Sequence, residues 1–151
     1  MIAVIQRVYR ATVYADGVLS GQINKGLYIL LGVRKGDTKE DARLLAEKIS
    51  KLRIFTDENQ KMNLSVLDVH GEVMIVSNFT LNANYAHGNR PDYFDSAPPE
   101  EANSLYETFI AFIKERIYKV ETGKFGADME TDMVTDGPVT IVMNSEVLKH
   151  K

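Results

Sequence analysis

Apolar and polar residues alternate along the first segment of the chain, from Ile2 to Tyr14. β-branched and aromatic side chains dominate this segment, and an alternation with a period of two is typical of a β-strand that buries one face. The sequence therefore predicts a strand here. Its two predicted faces carry Val4, Gln6, Val8 and Arg10 on one side and Ala3, Ile5, Arg7 and Tyr9 on the other.

Further strands are predicted where apolar residues follow one another without a helical period. Asp16-Gly17 is a turn signal, so the segment from Val18 to Ile23 can return as a hairpin. The apolar run from Leu27 to Val33 is long enough for a buried strand and short for a helix. The other predicted strands run from Glu72 to Leu81 and, briefly, from Arg53 to Thr56, with a turn at Asp57 to Lys61.

Two helices are predicted from apolar residues spaced three and four apart. Thr38 and Asp41 have the spacing of a capping box, and a helix follows from Lys39 to Leu52. Pro98 and Pro99 can open the second helix, because proline is favoured in a first helical turn. The expected buried stripes are Ala42, Leu45, Ala46, Ile49 and Leu52 in the first helix and Leu105, Phe109, Phe112, Ile113 and Ile117 in the second.

The rest of the chain is predicted to be loop and strand. Asn82 to Pro99 is rich in Asn, Gly, Asp and Pro, which is typical of a loop. Further strands follow from Tyr118, with a sharp bend at Asp136-Gly137-Pro138. The prediction is one compact α/β domain over residues 1–151, with mostly antiparallel or mixed sheets, layered and barrel-like, and two main helices packed on them.

The residue types that are missing exclude several kinds of site. The 151 residues contain no cysteine, which excludes disulfides, a thiol nucleophile and a cysteine-bound metal. The three histidines are not at metal-ligand spacing, and no P-loop, dinucleotide fingerprint or Gly-x-Ser-x-Gly is present. No metal or cofactor is therefore expected, while a Ser-His-Asp triad assembled in space stays an open alternative.

Charge and hydropathy indicate a cytoplasmic protein. A net charge of −3 counts against generic nucleic-acid coating, so no DNA partner is expected. The alternating N-terminal segment is unlike a signal peptide, and no apolar run reaches the ~20 residues that a membrane span needs. A chain without cysteine also suits a reducing cytoplasm.

The stretch Ser77-Asn78-Phe79-Thr80-Leu81 carries the first candidate chemistry. It ends a hydrophobic strand and leads into the polar loop, and backbone N–H groups released where sheet pairing stops can point at a developing oxyanion. On spacing alone, the alternative is an ordinary strand end with two small polar residues.

A second candidate is Asp136-Gly137-Pro138-Val139-Thr140. Gly-Pro is first of all a turn dipeptide, and the low frequency of cis X-Pro bonds makes the residues alone predict a trans turn without chemistry. Glycine nevertheless allows a backbone carbonyl to approach another group closely. Nearby, Met129 can fill a core gap or line a pocket.

Taken together, these stretches resemble the D-aminoacyl-tRNA deacylase family, also called D-tyrosyl-tRNA deacylases. Each motif is weak alone, but their order along nearly the whole chain is highly specific. The motifs are IQRV from Ile5, GLYILLGV from Gly26, KGDT from Lys35, KMNLSVLDV from Lys61, SNFTL from Ser77, GNRP from Gly88, APPE from Ala97, VETGKFGADM from Val120 and DGPVT from Asp136.

The resemblance implies a homodimer with its active site at the subunit interface, acting on D-aminoacyl-tRNA and on glycyl-tRNA. Gly137 and Pro138, joined by a cis bond, are expected to reach into the other subunit's pocket, and Arg7 to hold that dipeptide in place. Catalysis is expected to use the 2′-hydroxyl of the tRNA rather than a side-chain nucleophile or base. The expected catalytic contacts are the backbone N–H groups of Phe79 and Thr80, and Ser77, Asn78 and Met129 are expected to bind substrate.

Three positions depart from the family pattern. Asn78 replaces the usual glutamine, Thr135 a common asparagine, and His87 a common lysine or arginine. These changes bear on substrate affinity more than on reaction type, because Gly137 and Pro138 are both present. The alternative hypothesis from another class is a non-catalytic nucleic-acid-binding module.

Overall fold

The computed structural model describes residues 1–150 and places the first strand at the centre of a six-stranded sheet. Strand β1 (Ile2–Ala15) pairs antiparallel with β2 (Val18–Ile23) and with β3 (Gly26–Gly32). The last strand, β8 (Met129–Asn144), also pairs antiparallel with β1, from one end to the other. Both edges of β1 are therefore paired along most of its length, which satisfies its backbone N–H and C=O groups.

The other strands extend this sheet and curve it. Parallel pairing adds β6 (Glu72–Ser77) beside β3 and β7 (Val120–Thr122) beside β6. The Ser20 hydroxyl donates to the Thr122 carbonyl at 2.7 Å, which joins β2 to β7 and nearly closes a barrel. Strands β4 (Phe55–Thr56) and β5 (Met62–Leu64) form a separate two-stranded sheet.

Helices cover one face of the sheet. The predicted α1 (Lys39–Lys51) begins as expected, because the Asp41 carboxylate accepts from the Thr38 N–H at 2.8 Å. The predicted α2 (Pro99–Lys114) also forms, and its Tyr106 hydroxyl donates to the Ile75 carbonyl at 2.8 Å. A short α3 (Ser145–Lys149) was not predicted, because five residues are too few to show a helical period.

Apolar side chains form two cores, one on each side of the sheet. The larger lies between the sheet and the helices and includes Ile5, Ile29, Ile49, Ile75 and Phe109. The smaller lies inside the curve of the sheet and includes Val8, Val13, Tyr28, Met74 and Val76. The predicted fold class, α/β with mixed sheets and helices packed on them, is confirmed.

Strand β1 changes the face that it buries near Arg7. Ladder irregularities lie between Gln6 and Val8 and between Val8 and Arg10. A bulge shifts the alternation, because one extra residue moves every later side chain to the other face. The predicted alternation is therefore wrong beyond Arg7: Tyr9, assigned to the face of the buried Ile5, is 54% exposed.

Strand β6 is shorter than predicted. It ends at Ser77, and Phe79–Asn82 forms a 3-10 helix in place of the expected last strand residues. The Asn78 side chain accepts from the Thr80 N–H, a capping contact that starts a helical turn rather than continuing a strand. Among residues 1–150, no helix has the length and apolar character needed to cross a membrane.

Candidate functional site

A cavity of about 820 Å³ opens beside the end of β6. Its size lies within the range of small-molecule and cofactor pockets. Apolar side chains of the inner core, including Tyr28, Leu30, Val76 and Met129, line it, and Lys35 is the only charged residue among 1–150 that does so. The cavity therefore suits a mostly apolar group that enters from a rim carrying one positive charge.

The backbone around Asn78 forms one wall of this cavity. The Asn78 N–H donates to the Leu31 carbonyl at 2.8 Å, while the Asn78 side-chain oxygen accepts from both the N–H and the hydroxyl of Thr80. The Phe79 N–H has no hydrogen-bond partner within residues 1–150. Of the two backbone donors predicted for an oxyanion, only that of Phe79 is therefore unpaired.

Aromatic rings border the same wall. The Phe79 ring is 56% exposed and meets Tyr93 edge-on, with centroids 5.0 Å apart. The Ser96 hydroxyl donates to the Phe79 carbonyl at 3.2 Å and so ties the loop before α2 to the 3-10 helix. The ring of Phe79 is thus held at the cavity without being buried.

The described cavity lining offers no carboxylate or imidazole that could act as a general base. Among residues 1–150, no histidine, aspartate or glutamate lines it. Burial raises the pKa of the Tyr28 hydroxyl, which outweighs the effect of its 2.9 Å hydrogen bond with Thr131, so Tyr28 stays neutral at pH 7. Within residues 1–150, no group of three acidic or histidine side chains is placed to hold a metal ion.

The predicted bend lies inside β8 and forms what we call the 136–139 corner. Gln6 pairs with Thr140 and Val8 with Thr135, so the four residues 136–139 stand opposite Arg7 alone. Gly137 and Pro138 are exposed, and the bond between them is cis. The trans turn predicted from X-Pro frequencies is therefore wrong, because such frequencies carry no information about tertiary contacts. The cis bond implied by the family resemblance is confirmed.

Arg7 holds this corner from within the protein. Its guanidinium Nε lies 3.3 Å from the Asp136 carbonyl oxygen and 3.1 Å from the Asp136 carboxylate. The Nη1 atom donates to the Ile54 carbonyl at 2.7 Å. Arg7 is only 8% exposed, so its planar fork fixes the residue that precedes Gly137.

The predicted site residues fall into two groups within one chain. Ser77, Asn78, Phe79 and Met129 line the cavity, and Thr80 adjoins it. Arg7, Gly137 and Pro138 lie at the corner and are not among the residues that line the cavity. The sequence analysis did not assign the rest of the cavity lining to the site, although some of these residues lie within the family motifs: Tyr28, Leu30, Val76, Tyr93, Ser96 and Phe125.

Comparison with known sequences gives consistent matches over nearly the whole chain. Residues 4–144 match the family model described as D-Tyr-tRNA(Tyr) deacylase. A D-aminoacyl-tRNA deacylase of Thermosipho africanus is 55% identical over 146 residues, covering 97% of this chain and 98% of the relative. One of Anaeromyxobacter dehalogenans is 51% identical over 148 residues, covering 98% and 99%.

Two solved structures share the fold. One, described as a c-Myc DNA unwinding element binding protein, superposes with a TM-score of 0.89 at 38% identity, covering 95% of this chain and 98% of the other. A probable eukaryotic D-amino acid tRNA deacylase superposes with a TM-score of 0.80, covering 94% and 97%. Its identity is only 14%, so this second likeness concerns the fold alone.

Proposed function

The chain belongs to the D-Tyr-tRNA(Tyr) deacylase family, and we propose that it hydrolyses the ester bond of D-aminoacyl-tRNA to release the D-amino acid and the tRNA. It is a hydrolase like the D-aminoacyl-tRNA deacylases that it matches. The observation that carries the proposal is the apolar cavity at Ser77, Asn78 and Phe79, which has room for an aminoacyl group and, among residues 1–150, is lined by no carboxylate or imidazole.

The 136–139 corner is proposed to select the D-form. In a homodimer, the corner of one copy enters the cavity of the other. The Gly137 carbonyl accepts a hydrogen bond from the α-amino group, and Pro138 occupies the space that an L side chain needs. The exposure of both residues outside the cavity of their own chain supports this arrangement. A rigid wall rejects the wrong isomer by steric exclusion.

A wall built from main chain leads to a broad substrate range. Such a wall makes no contact that depends on the identity of the D side chain, so many D-amino acids are accepted. Glycine has no side chain to exclude, so glycyl-tRNA is proposed as a second substrate. Because the substrates are charged tRNAs, the cytoplasm is the expected place of action.

The proposed chemistry uses the substrate's own hydroxyl. Water attacks the ester carbonyl, the bond to the ribose 3′-oxygen breaks, and that oxygen receives a proton. The 2′-hydroxyl of the terminal adenosine assists, because the cavity lining holds no carboxylate or imidazole. The unpaired Phe79 N–H stabilises the oxyanion, and Thr80 can add a second donor only by releasing Asn78.

A second candidate function is non-catalytic nucleic-acid binding. The observation that favours it is the 38% identity to a protein described as binding a DNA unwinding element. The net charge of −3 counts against it, because such modules are usually basic.

Hydrolysis of two matched esters distinguishes these functions. The protein is incubated with D-tyrosyl-tRNA and with L-tyrosyl-tRNA, and free tyrosine is followed against a buffer control. We expect rapid release from the D-ester and release near the buffer rate from the L-ester. If neither ester is released faster than in buffer, the enzymatic function is wrong and the binding module takes its place.

A further inference from the structure

A tight turn beside the cavity presents an aromatic ring to solvent. The Ser96 N–H donates to the Tyr93 carbonyl at 3.0 Å, and both residues line the cavity. Phe94 lies at the tip of this 93–96 turn and is 74% exposed. Both ends of the turn line the cavity, so the Phe94 main chain lies close to the cavity rim, although Phe94 is not itself among the lining residues.

Several backbone contacts hold the 93–96 turn in place. The Lys35 N–H donates to the Asp95 carbonyl at 2.9 Å, and the Ala97 N–H donates to the Val33 carbonyl at 3.1 Å. The Phe94 N–H donates to the Asp92 carboxylate at 3.3 Å. The main chain that carries Phe94 is therefore fixed on the segment after β3, and the exposed ring is not at the end of a loose loop.

The segment after β3 also supplies Lys35, a positively charged residue that lines the cavity. Lys35 makes no ion pair with any of residues 1–150, so its ammonium group is available to an anion. Asp95 is also exposed on the turn and is acidic. The rim thus offers the apolar ring of Phe94 and the cation of Lys35 beside the carboxylate of Asp95. Because the two charges are of opposite sign, a ligand is expected to bind more by stacking on the ring than by electrostatic attraction alone.

We propose that Phe94 and Lys35 form a subsite for the nucleotide that precedes the terminal adenosine of the tRNA. This inference rests on the proposed function. The acceptor end is single-stranded, and unstacked bases bind exposed aromatic rings with little dependence on base identity. When the aminoacyl-adenosine fills the cavity, the phosphate on its 5′ side leaves at the rim, where Lys35 neutralises it.

Substrates of two lengths test the subsite. We compare D-tyrosyl-tRNA with the D-tyrosyl ester of adenosine, which lacks the preceding nucleotide. Phe94→Ala raises the KM for D-tyrosyl-tRNA about tenfold and leaves kcat/KM for the adenosine ester unchanged. Phe94→Trp restores the KM, because it keeps an aromatic face. Tyr118→Ala, a control at another exposed aromatic residue, changes neither the KM for D-tyrosyl-tRNA nor kcat/KM for the adenosine ester.

Equal losses on both substrates, or no loss on either, overturn the subsite. It is also overturned if Phe94→Ala weakens self-association in sedimentation while RNA kinetics stay unchanged, because a second copy then covers the ring. Lys35→Gln reduces the salt dependence of the KM for D-tyrosyl-tRNA, whereas the exposed control Lys61→Gln does not. An unchanged salt dependence in Lys35→Gln contradicts the phosphate contact.

A binding measurement separates this inference from the proposed function. The trinucleotide cytidylyl-cytidylyl-adenosine and adenosine alone are titrated against the protein by calorimetry. The subsite predicts tighter binding of the trinucleotide, and Phe94→Ala removes that advantage. If ester hydrolysis fails but the trinucleotide still binds more tightly than adenosine, only the enzymatic function is rejected. If the trinucleotide and adenosine bind with equal affinity, the subsite is rejected.

Discussion

Arg7 connects the sheet to the 136–139 corner. It is nearly buried and binds both the carbonyl and the carboxylate of Asp136, while its third contact fixes it to Ile54. A guanidinium can make these contacts in one plane, which a lysine ammonium cannot. The position of Gly137 and Pro138 therefore depends on a residue whose side chain faces the protein interior.

We expect Arg7→Lys to lower the free energy of unfolding by about 2 kcal/mol, because one cation replaces a planar fork in a largely buried pair. Discrimination between D- and L-esters falls at the same time. Urea unfolding and the ratio of kcat/KM values measure the two effects. The exposed Arg10→Lys is the matched control on the same strand, and equal behaviour of the two variants contradicts the role given to Arg7.

Gly137→Ala tests the corner itself. An added Cβ lies 2.6 Å from the Val139 nitrogen and 2.9 Å from the Val139 Cγ2, at a φ of +132°. The main chain must move to relieve this contact, and backbone strain of this kind costs about 1–3 kcal/mol. We therefore expect kcat/KM for D-tyrosyl-tRNA to fall at least tenfold. Gly88→Ala is the control, because it also has positive φ but no atom within 4 Å of the new Cβ.

Thr80→Ala separates water attack from a covalent mechanism. The Thr80 hydroxyl donates to Asn78 and has no basic partner among the described residues 1–150, so we expect the variant to keep kcat within about tenfold of the native value. A covalent threonine nucleophile predicts a loss on the order of 10³-fold or more. Single-turnover hydrolysis of D-tyrosyl-tRNA decides between them.

At the scale of elements, the spacing of apolar residues predicted those strands and helices that are determined by local sequence. The hairpin, the buried β3 and both main helices follow from turn residues and from the spacing of apolar positions. The bulge near Arg7, the early end of β6 at Ser77 and the cavity floor around Tyr28 depend on contacts between distant segments. No window of sequence contains those contacts, so they could not be predicted.

The carboxylate of Asp41, in the first turn of α1, contacts Ser145 and Lys149 of α3. Because the carboxylate is charged, this contact between the two helices is sensitive to acid. Burial would raise the pKa of Asp41, but hydrogen bonds from Lys149, Ser145 and Thr38 outweigh burial and hold the pKa well below its usual value. A lowered pKa contributes stability that is present above the unfolded-state value of about 4 and is lost as the pH falls below it.

We therefore expect Asp41→Asn to reduce the free energy of unfolding by about 2 kcal/mol at pH 7 and by less near pH 3. Urea unfolding at both pH values measures this difference. The exposed Asp132→Asn serves as the control. A loss in Asp41→Asn that is the same at both pH values contradicts a charge-dependent junction.

At the scale of the whole molecule, one chain holds two incomplete halves of the proposed site. The cavity has space and an unpaired Phe79 N–H, whereas the corner has an exposed backbone held by Arg7 but no cavity of its own. A symmetric dimer can join each cavity to the corner of the other copy, because a two-fold axis makes both contacts at once.

Mixing two variants, each of which impairs a different half of the proposed site, tests this arrangement most directly. Ala102→Trp fills the cavity, since Ala102 lines it, and Gly137→Ala disrupts the corner. After co-refolding of equal amounts, half of the dimers are mixed and each has one intact site, so about a quarter of the native D-tyrosyl-tRNA deacylation rate returns. If no activity returns although mixed dimers form, cavity and corner act within one chain and the account is contradicted.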